Sequence, residues 1–137
     1  MSIKITIETT VNASLDDVWS AWITPDDINQ WNAATNDWHN PSSTNDLRVG
    51  GRFSYRMEAK DGSMGFDFEG TYTTIIEKQL IEFDMDDERT VSIRFVSEDG
   101  QVRVIESFDA EDEHSAEQQR QGWQSILNNF AKYVELK

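Results

Sequence analysis

Glu106 is the residue whose position most invites chemistry. Val102, Val104 and Phe108 flank it in phase, so an unbroken strand turns its carboxylate toward the side that carries the apolar residues. A carboxyl group in such surroundings has to be paired, hydrogen-bonded or protonated. Facing inward, Glu106 suits the anchor of a ligand's polar group or a general acid; a bulge that turns it outward, or an ion pair with Arg94 or Arg103, would make it structural instead. Asp37-Trp38-His39 is a second candidate, because an aspartate can orient an imidazole for acid-base work or for a metal. Sequence neighbours rarely pair that way and no second histidine lies nearby, so the better reading makes Trp38 the hydrophobic plug of a lid. His114 beside Glu113 reads as a solvated helix start. Asp84, Asp86, Asp87 and Glu88 crowd a hairpin end as solvated charge, and their spacing fits no EF-hand loop. The chain has no cysteine, phosphate loop, dinucleotide fingerprint, nucleophile elbow or His-x-x-x-His pair. These residues point to no catalytic set, no cofactor and no metal.

Aromatic residues make the other candidate site. Five Trp, seven Phe and three Tyr stand among 137 residues, enough to build a core from few side chains or to wall a cavity with flat, rigid rings. By alternation, Phe53, Tyr55 and Met57 share a face, as do Phe66, Phe68, Gly70 and Tyr72, then Ile81, Phe83 and Met85, then Val91, Ile93 and Phe95. If these faces meet Trp123, Leu127 and Phe130, they line a ligand pocket, with Trp31 also in its wall, Trp38 at the mouth and Glu106 contributing the polar group; the opposing reading is a filled core.

The elements that must position these residues follow from periodicity. Ile3 to Val11 alternates as a strand with one buried face. Ser14, Asp16 and Asp17 open a short amphipathic helix through Ile23, and Thr24-Pro25 opens a second one leading to Ile28 and Trp31. Asn32 to Asp46 loses periodicity and reads as a long loop, with Asn32 to Asn45 as gate to the pocket. Strands are expected near Arg52–Ala59, Gly65–Glu77, Leu80–Met85, Thr90–Val96 and Val102–Phe108, with Asp-Gly pairs at two of the turns. A helix from Ser115 to about Glu135 closes the chain, with Trp123, Ile126, Leu127, Phe130 and Val134 as its apolar stripe. The resulting α+β chain is one domain, 1–137, in which a curved antiparallel six-stranded sheet wraps the long C-terminal helix and two short helices follow the first strand.

Charge narrows the partners. Twelve Lys and Arg against 26 Asp and Glu give a net charge of −14, a field that repels phosphate backbones and anionic lipid headgroups, so nucleic acid is an unsuitable partner. Met1-Ser2-Ile3-Lys4-Ile5 lacks the apolar run of a signal peptide, and no stretch reaches the roughly 18 apolar residues of a membrane helix. A soluble, cytoplasmic protein without membrane insertion is expected.

Val18-Trp19-Ser20-Ala21-Trp22 followed by Thr24-Pro25 and Ile28 to Trp31, Asp46-Leu47-Arg48-Val49-Gly50-Gly51-Arg52-Phe53, Gly70-Thr71-Tyr72, and Gly122-Trp123 followed by Leu127 together resemble the helix-grip (SRPBCC) superfamily of START lipid-binding domains, birch-pollen-type allergens and polyketide cyclases. Within it the chain is similar to the AHSA-like branch, named after the activator homologue of the ninety-kilodalton heat-shock protein ATPase. The resemblance covers essentially the whole chain and implies the fold more than the activity. It is consistent with non-enzymatic binding of a hydrophobic or aromatic small molecule or lipid between sheet and C-terminal helix. It also implies an alternative, a module that docks on a chaperone or another protein partner, and a third in which Glu106 and His39 serve a cyclase- or hydrolase-type reaction.

Overall fold

The computed structural model describes residues 3–137; Met1 and Ser2, which open the segment read above for a signal peptide, lie outside the described residues. The strand pattern at the N-terminus forms β1 (Lys4–Val11), in which Ile5, Ile7 and Val11 are buried and the residues between them are not. Ile3, expected within this strand, precedes it and is largely exposed. Helix α1 (Leu15–Ile23) starts where the Ser14 hydroxyl accepts the Asp17 backbone N–H, satisfying one of the free donors of the first turn. Helix α2 (Pro25–Trp31) starts on Pro25, whose missing N–H costs nothing at that position.

A strand, not a loop, comes next. β2 (Trp38–Asn45) pairs with β3 (Arg52–Ala59), followed by β4 (Gly65–Ile76), β5 (Leu80–Met85), β6 (Thr90–Glu98) and β7 (Gln101–Asp109) before helix α3 (Ala116–Glu135). The sheet therefore has seven antiparallel strands instead of the six expected, in the order β1-β7-β6-β5-β4-β3-β2. The polar composition that hid β2 is satisfied sideways. Buried Asn40 donates from Nδ2 to the Ser42 carbonyl at 2.8 Å and Ser43 Oγ at 3.0 Å and accepts from Asn32 Nδ2 at 2.8 Å. Ser43 Oγ in turn donates to Asn29 Oδ1 of α2 at 2.7 Å. Pro41 sits at the register shift between His39 and Ser42, where a ladder N–H is not required. Both sheet edges are thus covered: α2 packs on β2, while at β1 Arg120 and Gln124 of α3 donate to the Thr6 and Glu8 carbonyls at 2.8 and 3.1 Å.

The hairpin signals fold as turns, with Gly62 and Gly100 at φ +77° and +80°, a conformation that an L side chain resists. The sheet curls around α3, whose Leu127, Phe130 and Val134 are buried against it, and the Tyr133 hydroxyl donates to Asp27 of α2. This is the helix-grip architecture. Gly122 lies in the interior of α3 with open space where a Cβ would stand, so it serves no close helix contact. Gly122→Ala is therefore expected to raise stability by about 0.5–1 kcal/mol through helix propensity. A loss of stability in chemical denaturation would overturn that assignment.

Candidate functional site

Between the concave face of the sheet and α3 lies a cavity of about 180 Å³. Its walls come from every layer: Trp22, Trp31 and Asn32 from the α1–α2 unit and the turn after it, Tyr55 and Met57 from β3, Phe66, Phe68 and Tyr72 from β4, Ile81 and Phe83 from β5, Glu106 from β7, and Trp123, Ile126 and Leu127 from α3. The β4–β5 ladder begins only at Gly70–Met85, so Gly65 to Glu69 have β3 on one side and no strand on the other. Along that open flank runs a groove of about 530 Å³, bounded by Asp67, Glu69, Asp86, Asp87, Arg89 and the start of α3. Groove and cavity share Phe66, Phe68 and Trp123, which form the wall where the two meet.

Of the residues read from the sequence as pocket wall, Trp31, Tyr55, Met57, Phe66, Phe68, Tyr72, Ile81, Phe83, Glu106, Trp123 and Leu127 line the cavity. Trp38, Phe53 and Phe95 do not. Trp38 sits on β2 with its ring 6.0 Å from Phe66, one residue back from the rim, so it plugs nothing. Phe53 shares a face with Tyr55 but lies beneath it, its ring center 4.9 Å from Tyr55, 5.3 Å from Tyr72 and 4.7 Å from Phe83. The ring occupies the space over Gly70, where a Cβ would come within 2.8 Å of it. Phe95 meets Trp19 and Trp22 of α1 edge-on at 5.3 and 5.8 Å and fills the core there. Trp22, Asn32 and Ile126 line the cavity without having been read as wall. Ile126 belongs to the same helix stripe as Leu127 and was legible from period alone; Asn32 carries no such signal.

Trp123 is half-buried rather than enclosed. Its indole stacks on Phe108 with 3.9 Å between ring centers and an 11° interplanar angle, and it meets Phe68 at 6.1 Å. Trp31 is fixed more firmly, with its indole N–H donating to the Ala21 carbonyl at 3.0 Å. The Asn32–Asn45 segment is held by β3 and α2 and supplies only Asn32 to the cavity, so it is not placed as a gate.

Glu106 faces inward. Strand β7 runs in continuous register, with Ile7 of β1 and Ile93 of β6 on either side of Glu106, and no bulge turns it out. It is 7% exposed, no hydrogen bond or ion pair reaches it among the described residues, and burial is the sole influence on its carboxyl. Arg103 points away to Glu8 and Glu98 at 3.6 and 3.7 Å, and Arg94 lies on the outer face. Burial pushes the carboxyl up to about 8, because no cation offsets the lost hydration. The phenols of Tyr55 and Tyr72 are also raised by burial, that of Tyr72 to about 12, and Tyr72 donates to Asn45 Oδ1 at 2.6 Å.

The other candidates are occupied by ordinary surface pairs. His39 Nε2 lies 3.8 Å from Glu58 and away from the cavity, with no pairing to Asp37. Asp86 and Asp87 are held by Arg52 and Arg89 at 2.9 and 2.7 Å. Glu111, Glu113 and His114 form an exposed acidic group at the entry to α3, where Glu111 takes up the His114 ring. Among the described residues, no helix is long and apolar enough to cross a membrane.

Comparison with known proteins places this geometry. The family model described as Activator of Hsp90 ATPase homolog 1-like protein matches residues 12–135. An AHSA1-like protein from Aeromonas hydrophila is 51% identical, with a TM-score of 0.92 over 98% of this chain and 93% of that one. The Chr148 protein from Cytophaga hutchinsonii is 44% identical, with a TM-score of 0.85 over 97% and 92%. The CV1439 protein from Chromobacterium violaceum shares the fold at 19% identity, with a TM-score of 0.84 over 97% and 98%. Among curated proteins, no relative matches. With both the family model and close relatives spanning nearly the full length, the chain belongs to the Activator of Hsp90 ATPase homolog 1-like family.

Proposed function

We propose that this protein binds a hydrophobic or aromatic small molecule in the cavity between the sheet and α3. The observation that carries the reading is the aromatic-walled space itself, partly open at its rim and large enough for one ring-sized body. At about 180 Å³ it exceeds the roughly 150 Å³ of an engineered apolar cavity that accepts benzene. Its walls combine rigid rings with a few polar groups, the Glu106 carboxyl, the Tyr55 and Tyr72 phenols and the Asn32 amide, the usual makeup of a small-molecule site.

Because Trp22, Trp31 and Trp123 stand in the wall, an aromatic ligand is expected to change tryptophan fluorescence. It should also raise the melting temperature by mass action, about 2.7 kcal/mol of added stability at a hundred times Kd. A panel of monocyclic aromatics and short lipids, read by fluorescence and thermal melting, tests this. Absence of any shift across the panel would sink the reading.

The family description supports a second reading, a module that docks on a chaperone or another protein, and the net charge of −14 suits a basic partner surface. Native mass spectrometry of the purified protein separates the two. A co-purified small molecule supports cavity binding, whereas a salt-sensitive stoichiometric protein partner supports docking.

A further inference from the structure

We propose that the ligand of this cavity is an organic amine, a ring-sized apolar body bearing one ammonium group whose nitrogen sits on the Glu106 carboxylate against the faces of the surrounding rings. The proposal rests on the cavity-binding reading above and names the chemical class of the ligand.

Three observations point the same way. Glu106 is more than nine-tenths buried and belongs to the cavity wall, and no hydrogen bond or charge from the described residues acts on its carboxyl. Eight of the fourteen wall residues are aromatic and none is Lys, Arg or His, so the protein supplies no cation to this carboxyl. Aromatic faces carry the negative end of the ring quadrupole and attract ammonium groups. The net charge of −14 further concentrates cations near the protein and repels anions.

The competing classes fit less well. A ligand carboxylate would lose its hydration beside the neutral Glu106 acid with no cation to offset it, and ionization of Glu106 would then set two negative groups together. A neutral alcohol or ketone could make one hydrogen bond to the carboxyl, about half as strong as the charge-assisted bond an ammonium makes. With no cation in the wall, burial favors the protonated acid and lifts Glu106 to about 8. When R–NH₃⁺ enters, Glu106 gives that proton to solvent and the charge inside the cavity balances.

The proton can be assigned to Glu106 because its surroundings are silent near neutral pH. Its strand neighbors at this position are Ile7 and Ile93, and α3 presents Trp123, Ile126 and Leu127. Tyr55 and Tyr72 are the other titratable wall residues, and both phenols are raised further above their ordinary range.

The test compares 2-phenylethylamine with 2-phenylethanol, which has the same shape without the charge, by calorimetry and tryptophan fluorescence at pH 6, 7 and 8. The amine is expected to bind at least tenfold more tightly than the alcohol at pH 8. Its affinity should rise about ninefold from pH 6 to 7 and about fivefold from 7 to 8, with nearly one proton released per molecule bound at pH 6. Glu106→Gln should erase both the preference and the proton release; if that variant does not fold, the pH slope and proton count of the unmodified protein decide. Alcohol binding equal to or tighter than amine binding, with no proton released, overturns the amine assignment and leaves cavity binding standing. Failure of both probes to bind overturns the two readings together.

Discussion

Phe130→Ala is expected to lower the unfolding free energy by about 3–5 kcal/mol, a large share of the roughly 5–15 kcal/mol a domain possesses. Phe130 is fully buried on α3, and its ring meets Trp22 and Trp31 edge-on, each at 4.9 Å between centers. Removing it opens a hole at the junction of all three helices, where Trp31 is already tethered to Ala21 and cannot collapse inward. Phe66→Ala is expected to cost less than about 1 kcal/mol, because that ring is half-exposed at the cavity rim and already lacks neighbors on one side. Urea denaturation of both variants checks the contrast. Equal, severe losses would mean that the rim is packed as core and that the space behind it is not open.

The second large effect is a change in how stability depends on pH. Glu106 titrates at about 8 when folded, against 4.5 for an unperturbed glutamate. Between those values the folded chain holds a proton that the unfolded chain has released, so raising pH favors unfolding. The acid form is therefore harmless below about pH 4.5, and the destabilization is complete only above about pH 8. Glu106→Gln removes the titration. Relative to the unmodified protein, the variant is expected to gain about 2–4 kcal/mol on going from pH 4.5 to pH 9, after allowing for relaxation and water entry around the charge. Groups such as Asp109, lowered by the Thr90 N–H and by Lys4, act on both proteins alike and cancel in the difference. Denaturant midpoints measured across this range for both proteins provide the check, and parallel curves would show that Glu106 is not the buried acid described here.

Much of the fold was written in local pattern. Alternation marked β1 and β3 to β7, Ser14 and Pro25 marked the starts of two helices, and the stripe from Trp123 to Val134 marked α3. These are properties of consecutive residues, since side-chain direction repeats every second residue in a strand and every 3.6 in a helix. β2 escaped because its decisive partners are distant in kind: buried Asn40 and partly buried Ser43 are satisfied by hydrogen bonds to Asn29 and Asn32, so polarity there signals a satisfied edge strand and not a loop.

For the site, the sequence by itself determined which residues share a face, and therefore that Glu106 belongs with Val102, Val104 and Phe108. Whether that carboxyl would be paired was decided by β1 and β6, which bring only Ile7 and Ile93 beside it, and by Glu8 and Glu98, which draw Arg103 elsewhere. Depth was decided in the same way. Phe53 and Tyr55 have the same phase, yet Gly70 across the ladder leaves room for the Phe53 ring to sink under the cavity, while Tyr55 stays on its wall. Period specifies a side chain's direction, but a cavity is the volume left over when seven strands and three helices have been packed, and no single segment contains that difference.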